Sequence, residues 1–257
     1  MKTLPRIEYI SRAVDVAMDN AWFEVNQTGH FWMKWRFRVF WNHFGKRLKS
    51  TDTLLEIGCG NARFRQQVEA RGLTVDGCDL NEQGLKMAED GRGKLFLYDI
   101  HDLDKRLTGK YDVVMLMDVL EHIEDDVSFL RSAAAHVKHN GYLVINVPAN
   151  PKLFSAYDRA QGHYRRYKKH DLDALISGAG LRSVEVFYWG LILVPVLWVR
   201  KWLLGKGGHA DTRRGFESPS RMMNAAFSFF MRIETSLLPR TFTGTSVMAV
   251  VQNSAPE

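Results

Sequence analysis

The fold is best indicated by one stretch of the sequence, Leu54-Leu55-Glu56-Ile57-Gly58-Cys59-Gly60-Asn61-Ala62. Its apolar beginning predicts a buried strand, and the small residues that follow predict a tight turn into a helix. Glycines in such a turn let a ligand approach the backbone, and the N-terminus of the next helix presents unpaired N–H groups. The stretch therefore predicts a ligand site between a strand and a helix.

Two features narrow the class of ligand. The turn lacks the third glycine of a dinucleotide fingerprint because Arg63 occupies that place, and Glu56 stands where it would repel a pyrophosphate and attract a cation. Asp79 ends the next predicted strand, 21 residues after Gly58, where a carboxylate can accept both hydroxyls of a ribose. A cationic nucleoside without phosphate is S-adenosylmethionine, which we predict as the cofactor.

Short apolar runs alternate with amphipathic stretches on both sides of this turn. Strands are predicted over 53–57, 73–78, 94–98, 111–115, 142–147, 183–188 and 245–252, and helices over 62–70, 82–89, 125–137 and 169–178. This alternation is typical of a parallel sheet covered by helices on both faces, so the predicted fold class is α/β.

Two segments lie outside the alternation. Residues 1–50 hold four of the seven tryptophans, and the spacing of Ile10, Val14 and Met18 predicts a helical cap. Residues 190–241 contain two predicted helices, of which the first, 191–204, is interrupted by Pro195. We expect the core over 51–189, an apolar helical insertion over 190–241 that acts as a lid or docks on a membrane, and the last strand and tail over 242–257. The alternative is that the helices of the insertion bury their apolar faces against the sheet or a dimer partner.

Composition excludes several classes of protein. The 257 residues are 46% apolar and 25% charged, which is a globular balance and excludes a disordered or collagenous chain. With only Cys59 and Cys78, no stapled framework is expected, and the charged start of the chain does not resemble a signal peptide. A cytoplasmic protein is therefore expected, with membrane association left open.

The net charge of +6 is unevenly distributed. Residues 1–50 carry +5, residues 51–150 carry −6 and residues 151–257 carry +7. Basic ends around an acidic centre are compatible with an anionic substrate or membrane surface, and equally with a solvated basic surface.

Five stretches resemble, in order, the motifs of class I S-adenosylmethionine-dependent methyltransferases, of the bacterial small-molecule type that includes the ubiquinone-biosynthesis enzymes. They lie at 56–60, 76–81, 98–100, 111–122 and 141–148, and the resemblance covers about residues 30–190. It implies a Rossmann-like sheet that is mostly parallel, with an antiparallel last strand, an N-terminal helical segment and a helical insertion before that strand.

The resemblance also implies roles for individual residues in binding the cofactor. These are Gly58 and Gly60 along the methionine part, Asp79 on the ribose, Asp99 and Ile100 at the adenine, Met117 against the ligand, Arg36 on the methionine carboxylate and Glu56 at the start of the first motif. Ala62 departs from the pattern, because many members have glycine there; alanine fits if its φ stays negative.

A loop at 157–167 resembles the segment that borders the acceptor pocket in this subgroup. His163 is the candidate base, Arg165 and Arg166 are candidates for binding a carboxylate or phosphate, and Tyr157, Tyr164 and Tyr167 are further candidates for contacts with the substrate. The alternative is a surface loop whose arginines pair with nearby acids.

The stretch Asp118-Val-Leu-Glu121-His122 resembles an acid-x-x-Glu-His pattern that binds a divalent metal in some quinone enzymes. Three such ligands suit Mg²⁺ or Zn²⁺. We favour the alternative that this stretch organises the loop and that no metal is bound.

The predicted function is methyl transfer by in-line displacement to O or N of a small acceptor that is acidic, aromatic or lipid-linked. Two alternatives remain open: metal-assisted 2′-O-methylation of RNA, and a non-catalytic module that binds S-adenosylmethionine. Nucleic acid is not the expected partner, because the basic residues are interleaved with large apolar ones. Peripheral membrane contact and the oligomeric state are left open.

Overall fold

The computed structural model describes residues 5–13, 31–206, 221–238 and 240–254. Within them, strands and helices follow the predicted alternation closely. The strands are β1 (Ile7–Tyr9), β2 (Leu54–Ile57), β3 (Val75–Asp79), β4 (Leu95–Leu97), β5 (Tyr111–Met117), β6 (Val137–Pro148), β7 (Arg182–Trp189) and β8 (Ser246–Gln252). The helices are α1 (Phe31–His43), α2 (Arg63–Glu69), α3 (Glu82–Met87), α4 (Asp126–Ala135), α5 (Ala156–Ala160), α6 (Lys169–Gly178), α7 (Val194–Lys206) and α8 (Arg221–Leu237).

The strands form one sheet in the order β1-β4-β3-β2-β5-β6-β8-β7. Neighbours from β1 to β6 run parallel, whereas β8 is antiparallel to both β6 and β7. The predicted mostly parallel α/β sheet with an antiparallel last strand is confirmed.

Apolar side chains bury both faces of this sheet. Along β5, Val114 and Leu116 belong to one buried cluster, while Val113 and Met115 belong to another that includes Trp35 of α1. Alternate residues of a strand point to opposite faces, so the helices cover the sheet on both sides.

The parallel register brings the ends of the central strands to one edge. Ile57 at the end of β2 is paired with Cys78 on β3 and with Leu116 on β5. The turn after β2, the end of β3 and the loops after β4 and β5 therefore lie together, at the carboxyl edge where ligands bind in such sheets.

The structure corrects two details of the predicted elements. Residues 7–9 form an edge strand paired with β4 instead of a helix, while Val14 and Met18 lie outside the described residues. Pro195 lies in the first turn of α7, where proline is tolerated, so it does not interrupt the helix. The domain boundaries stay a prediction.

No helix among the described residues combines the length and the apolar character needed to cross a membrane.

Candidate active site

The turn after β2 requires both of its glycines. Gly58 has φ +70° and Gly60 has φ +53°, in the left-handed region that residues with a side chain avoid. A Cβ at Gly58 would lie 2.6 Å from Cγ2 of Val119. The turn is therefore compact against the loop after β5, and its backbone is open to close approach by a ligand.

Ala62 completes this turn in a conformation that the sequence did not lead us to expect. Its φ is +58°, not negative, and its side chain is fully buried beside Cys59 and Leu85. The left-handed conformation costs alanine about 1 kcal/mol, which explains why glycine suits this position.

Asp79 fastens the turn to the end of β3. Its Oδ2 accepts a hydrogen bond from the amide of Gly60 at 2.7 Å, and its Oδ1 accepts one from the amide of Asn81 at 2.8 Å. Burial raises the pKa of this carboxyl, and the backbone N–H donors oppose the shift. Each oxygen keeps acceptor capacity, so the carboxylate fits the two hydroxyls of a ribose.

Glu56 is the second carboxylate at the carboxyl edge of the sheet, and it is buried. Its Oε2 accepts a hydrogen bond from the amide of Arg65 at the start of α2, at 2.9 Å. Burial raises its pKa to about 8, and the positive charge of Arg36 acts against that shift. The group is thus largely protonated at neutral pH, and a cationic ligand would favour its ionised form.

The pKa of Glu56 predicts how ligand affinity depends on pH. Because a bound cation stabilises the ionised carboxylate, binding of S-adenosylmethionine should release a proton below pH 8. Affinity should therefore rise with pH through the neutral range, by up to about tenfold per pH unit, and level off once Glu56 is ionised. Calorimetric titration at several pH values measures this rise.

The Glu56→Gln variant is the matched control, because it removes the titrating proton and keeps the side-chain shape. The wild type and the variant should differ in how steeply affinity rises with pH. That difference is due to Glu56, because groups that titrate on the ligand affect both proteins equally. Equal slopes for the two proteins would contradict this prediction.

The adenine side is formed by the loop after β4. Asp99 accepts a hydrogen bond from the amide of His101 at 2.9 Å, its own amide donates to the hydroxyl of Ser11, and Ile100 is buried beside it. Their adenine-binding role stays a prediction. The contact with Ser11 was not predicted, because it joins residues 88 positions apart.

Arg36 lies buried on α1, where it reaches the end of β5. Its Nη1 donates to Oδ2 of Asp118 at 2.6 Å and to the carbonyl of Met117 at 3.1 Å, while its Nε is buried without a hydrogen-bond partner. An unpartnered N–H of a buried guanidinium is a site for an acceptor, which fits the predicted methionine carboxylate.

A buried polar chain continues from Asp118. Its Oδ1 accepts from Nδ2 of Asn146 at 2.5 Å, and Oδ1 of Asn146 in turn accepts from Nε1 of Trp189 at 2.8 Å. Asp118 has φ +63°, a left-handed conformation that its hydrogen bonds to Asn146 and Arg36 hold in place. Sequence reasoning missed Asn146 and Trp189, because they lie on strands that meet only through the sheet.

These contacts also correct the alternative metal site, for which Asp118, Glu121 and His122 were the candidate ligands. Asp118 is occupied by Arg36 and Asn146, and the third residue near Glu121 and His122 is instead His163. One ligand atom from each of Glu121, His122 and His163 lies within 4.8 Å of the others. This arrangement has the donor types of a divalent metal site.

Glu121 and His122 both resist ionisation. Burial raises the pKa of the Glu121 carboxyl well above its usual value, the negative charge of Asp118 adds to the shift, and its Oε2 has no hydrogen-bond partner. Burial, with the nearby His163, lowers the pKa of His122 to about 4. Burial therefore favours the uncharged form of both side chains.

Asp158 organises the acceptor loop from a fully buried position. Its Oδ1 accepts from Nε of Arg166 at 2.7 Å and lies 3.3 Å from Nδ1 of His163, while its Oδ2 accepts from the amide and hydroxyl of Ser155. These donors lower its pKa despite burial. Asp158 lies within the predicted loop at 157–167, but the sequence gave no sign of this role.

The arginines of the loop already have carboxylate partners. Arg166 binds Asp158, and Arg165 donates from Nη1 to Oδ2 of Asp126 at 2.8 Å. The pairing matches the structural alternative for this loop, and the predicted binding of a substrate anion by either arginine stays untested.

The tyrosines of the loop differ in position. Tyr167 is a correction: it is buried in the core and its hydroxyl bonds to Asp126, so it does not face an acceptor. Tyr164 is 54% exposed. Tyr157 is partly buried, with the guanidinium carbon of Arg200 on α7 lying 3.6 Å from its ring centroid. Tyr157 and Tyr164 stay candidates for contacts with the substrate.

The strand order and the glycine turn at the carboxyl edge define the Rossmann-like fold of class I methyltransferases. A family model described as a methyltransferase domain matches residues 20–186, and the chain belongs to this family. The family's cofactor is S-adenosylmethionine, and the glycine turn, Asp79 and the free N–H of Arg36 fit it.

Solved structures share this fold. A SAM-dependent methyltransferase from Archaeoglobus fulgidus aligns with a TM-score of 0.55 at 19% identity, over 90% of this chain and 97% of that one. Geranyl diphosphate methyltransferase in complex with GPP and sinefungin aligns with a TM-score of 0.55 at 15% identity, over 86% and 76%.

Curated relatives match a shorter stretch. The ubiquinone biosynthesis O-methyltransferase of Vibrio parahaemolyticus is 34% identical over 106 residues, or 39% of this chain and 43% of the relative. That of Nitrosomonas europaea is 32% identical over 117 residues, or 41% and 48%. The matched stretch spans less than half the length of these relatives.

Proposed function

We propose that this protein transfers a methyl group from S-adenosylmethionine to O or N of a small acceptor that is acidic, aromatic or lipid-linked. The observation that carries the proposal is the cradle at the carboxyl edge. There two left-handed glycines, fastened by Asp79, lie beside the buried carboxylate of Glu56. The partial likeness to ubiquinone biosynthesis O-methyltransferases supports transfer to oxygen.

When bound, S-adenosylmethionine supplies a methyl group that its positive sulfur has already activated. The chain's task is to bind, to align and to exclude water. Asp79 accepts the ribose hydroxyls, Ile100 covers the adenine, and Arg36 donates its free Nε–H to the carboxylate. Glu56 balances the ligand's positive charge from beneath the turn.

On the acceptor side, His163 removes the proton of a hydroxyl or amine acceptor. Its Nδ1 faces Asp158, which fixes the orientation of the ring and stabilises the charge that develops on it. The His122 ring packs edge-on against it, with the two centroids 4.6 Å apart, and stays neutral. Tyr157 and Tyr164 border the acceptor from the same loop.

A labelling experiment tests the proposed function. The protein is incubated with methyl-labelled S-adenosylmethionine and, separately, with lipid, polar-metabolite and RNA extracts. We expect label in the lipid or metabolite fraction, unchanged by ribonuclease, and no label with the Asp79→Ala variant. Uptake by RNA alone, or by no fraction, would contradict the proposal.

A further inference from the structure

Helix α8 exposes most of its apolar side chains instead of burying them. Glu234 is 2% exposed and Met231 is buried beside it, whereas Met222 is 80%, Phe229 60% and Leu237 73% exposed. A surface helix of a globular protein normally buries its apolar stripe. Here the apolar stripe points outward, and we call it the outer face: Met222, Met223, Ala226, Phe229, Phe230, Ile233 and Leu237.

The inner side of α8 is held by polar contacts and by two apolar side chains, Met231, which is buried in the core, and Phe227, whose ring stacks on Phe31 with the centroids 4.8 Å apart. The carboxylate of Glu234 accepts the amides of Gly190, Leu191 and Ile192, at 2.6, 3.1 and 3.0 Å. Oδ1 of Asn224 accepts the amide of Phe31 at 3.0 Å. The position of the helix is thus set by its inner side, while the outer face is exposed.

Helix α7 has a second exposed apolar stripe, which carries two tryptophans. Trp198 is 44%, Val199 58% and Trp202 59% exposed, and α7 contains no acidic residue. Nζ of Lys201 lies 5.7 Å from the Trp198 ring. Tryptophan beside lysine or arginine is the composition of segments that lie in the interface of a membrane.

The charge of this region favours an anionic surface. Residues 190–241 contain eight Lys or Arg against three acids, and one of those acids is the buried Glu234. Arg232 lies exposed on α8 beside the outer face. Like charges on two copies of this region would repel each other, whereas acidic lipid headgroups would attract it.

We propose that the outer face of α8 and the tryptophan stripe of α7 dock on the surface of an anionic lipid bilayer. Helix α7 also joins this surface to the acceptor loop, because Arg200 stacks on Tyr157 and Lys201 donates to the carbonyl of Lys152. A membrane held there would lie next to the loop that we assign to the acceptor. The docking itself does not depend on the proposed methyl transfer.

Co-sedimentation with vesicles tests the docking. The full chain, without cofactor, is mixed with vesicles of phosphatidylcholine alone and of phosphatidylcholine with phosphatidylglycerol. We expect binding to the anionic vesicles, weakened by salt, with a blue shift of tryptophan fluorescence. The triple variant Phe229→Ser/Phe230→Ser/Ile233→Ser should bind about a thousandfold more weakly, since each of the three inserted side chains contributes about tenfold.

Val184→Ser is the matched control, since Val184 is an exposed apolar residue of β7, 44% accessible and outside both stripes. It should bind like the wild type, and Arg232→Glu should lose affinity for anionic vesicles. Wild type that binds neither vesicle, or a triple variant that binds equally well, overturns the proposal. A dimer in sedimentation velocity that the triple variant dissociates, without lipid binding, would assign the face to a second copy instead.

Discussion

The Asp79→Ala variant should bind S-adenosylmethionine at least about a hundredfold more weakly than the wild type. The carboxylate accepts amides from Gly60 and Asn81 and would also accept the ribose hydroxyls. Hydrogen bonds to a charged group contribute about 1.5–3 kcal/mol each, so loss of two to the ribose accounts for that factor. Loss of the bond to Gly60 would loosen the turn as well.

Asp76→Asn is the control for this variant. Asp76 lies on the same strand but away from the carboxyl edge, and it accepts from the Lys94 amide and the Tyr111 hydroxyl. Its variant should bind with nearly the wild-type affinity. Calorimetry measures both affinities, and thermal unfolding checks that both variants are folded. Equal affinity of folded Asp79→Ala and wild type would contradict the assignment of the ribose site.

The His163→Gln variant should lower kcat by about a hundredfold or more while leaving the affinity for S-adenosylmethionine unchanged. General-base catalysis contributes about 10²–10⁴ in rate, and glutamine cannot accept the acceptor's proton. Binding of S-adenosylmethionine should persist, because His163 contacts Asp158 and His122 and not the glycine turn.

His170→Gln is the matched substitution on the surface, since the His170 side chain is 74% exposed and pairs with the adjacent Asp171. It should keep full activity. Asp158→Asn tests positioning: it should lower kcat less than His163→Gln and should change the pH profile of kcat. Full activity of His163→Gln would remove His163 from the mechanism.

The central cradle could be predicted from the sequence because it is local. Gly58 and Gly60 follow the end of β2, and Asp79 ends β3. Parallel pairing of these two consecutive strands is enough to place the three residues together. The sheet itself follows from the alternation of apolar runs and amphipathic stretches for the same reason.

The polar partners of the site could not be predicted, because they depend on contacts between distant segments. Arg36 reaches Asp118 across 82 positions, and Trp189 reaches Asn146 across 43. The burial of Asp158 likewise depends on how its loop folds against Arg166 and His163. No periodicity in the sequence carries that information.

The outward turn of α8 shows a different limit. Its apolar spacing predicts the helix correctly but leaves open whether the apolar stripe is buried or exposed, and the structure shows the stripe exposed. Glu234 decides the orientation, because its carboxylate satisfies three amides at the turn after β7. A buried carboxylate with three donors outweighs the apolar period of its helix.

Calorimetric titration of the wild-type protein with S-adenosylmethionine, and in parallel with NAD⁺, measures which nucleoside the glycine turn and its two carboxylates bind. Above pH 8, where Glu56 is ionised, the cradle predicts one-to-one binding of S-adenosylmethionine and of its demethylated product, and no binding of the dinucleotide, whose pyrophosphate the Glu56 carboxylate then repels. Absence of heat with both sulfur nucleosides, or tighter binding of NAD⁺, would contradict the account.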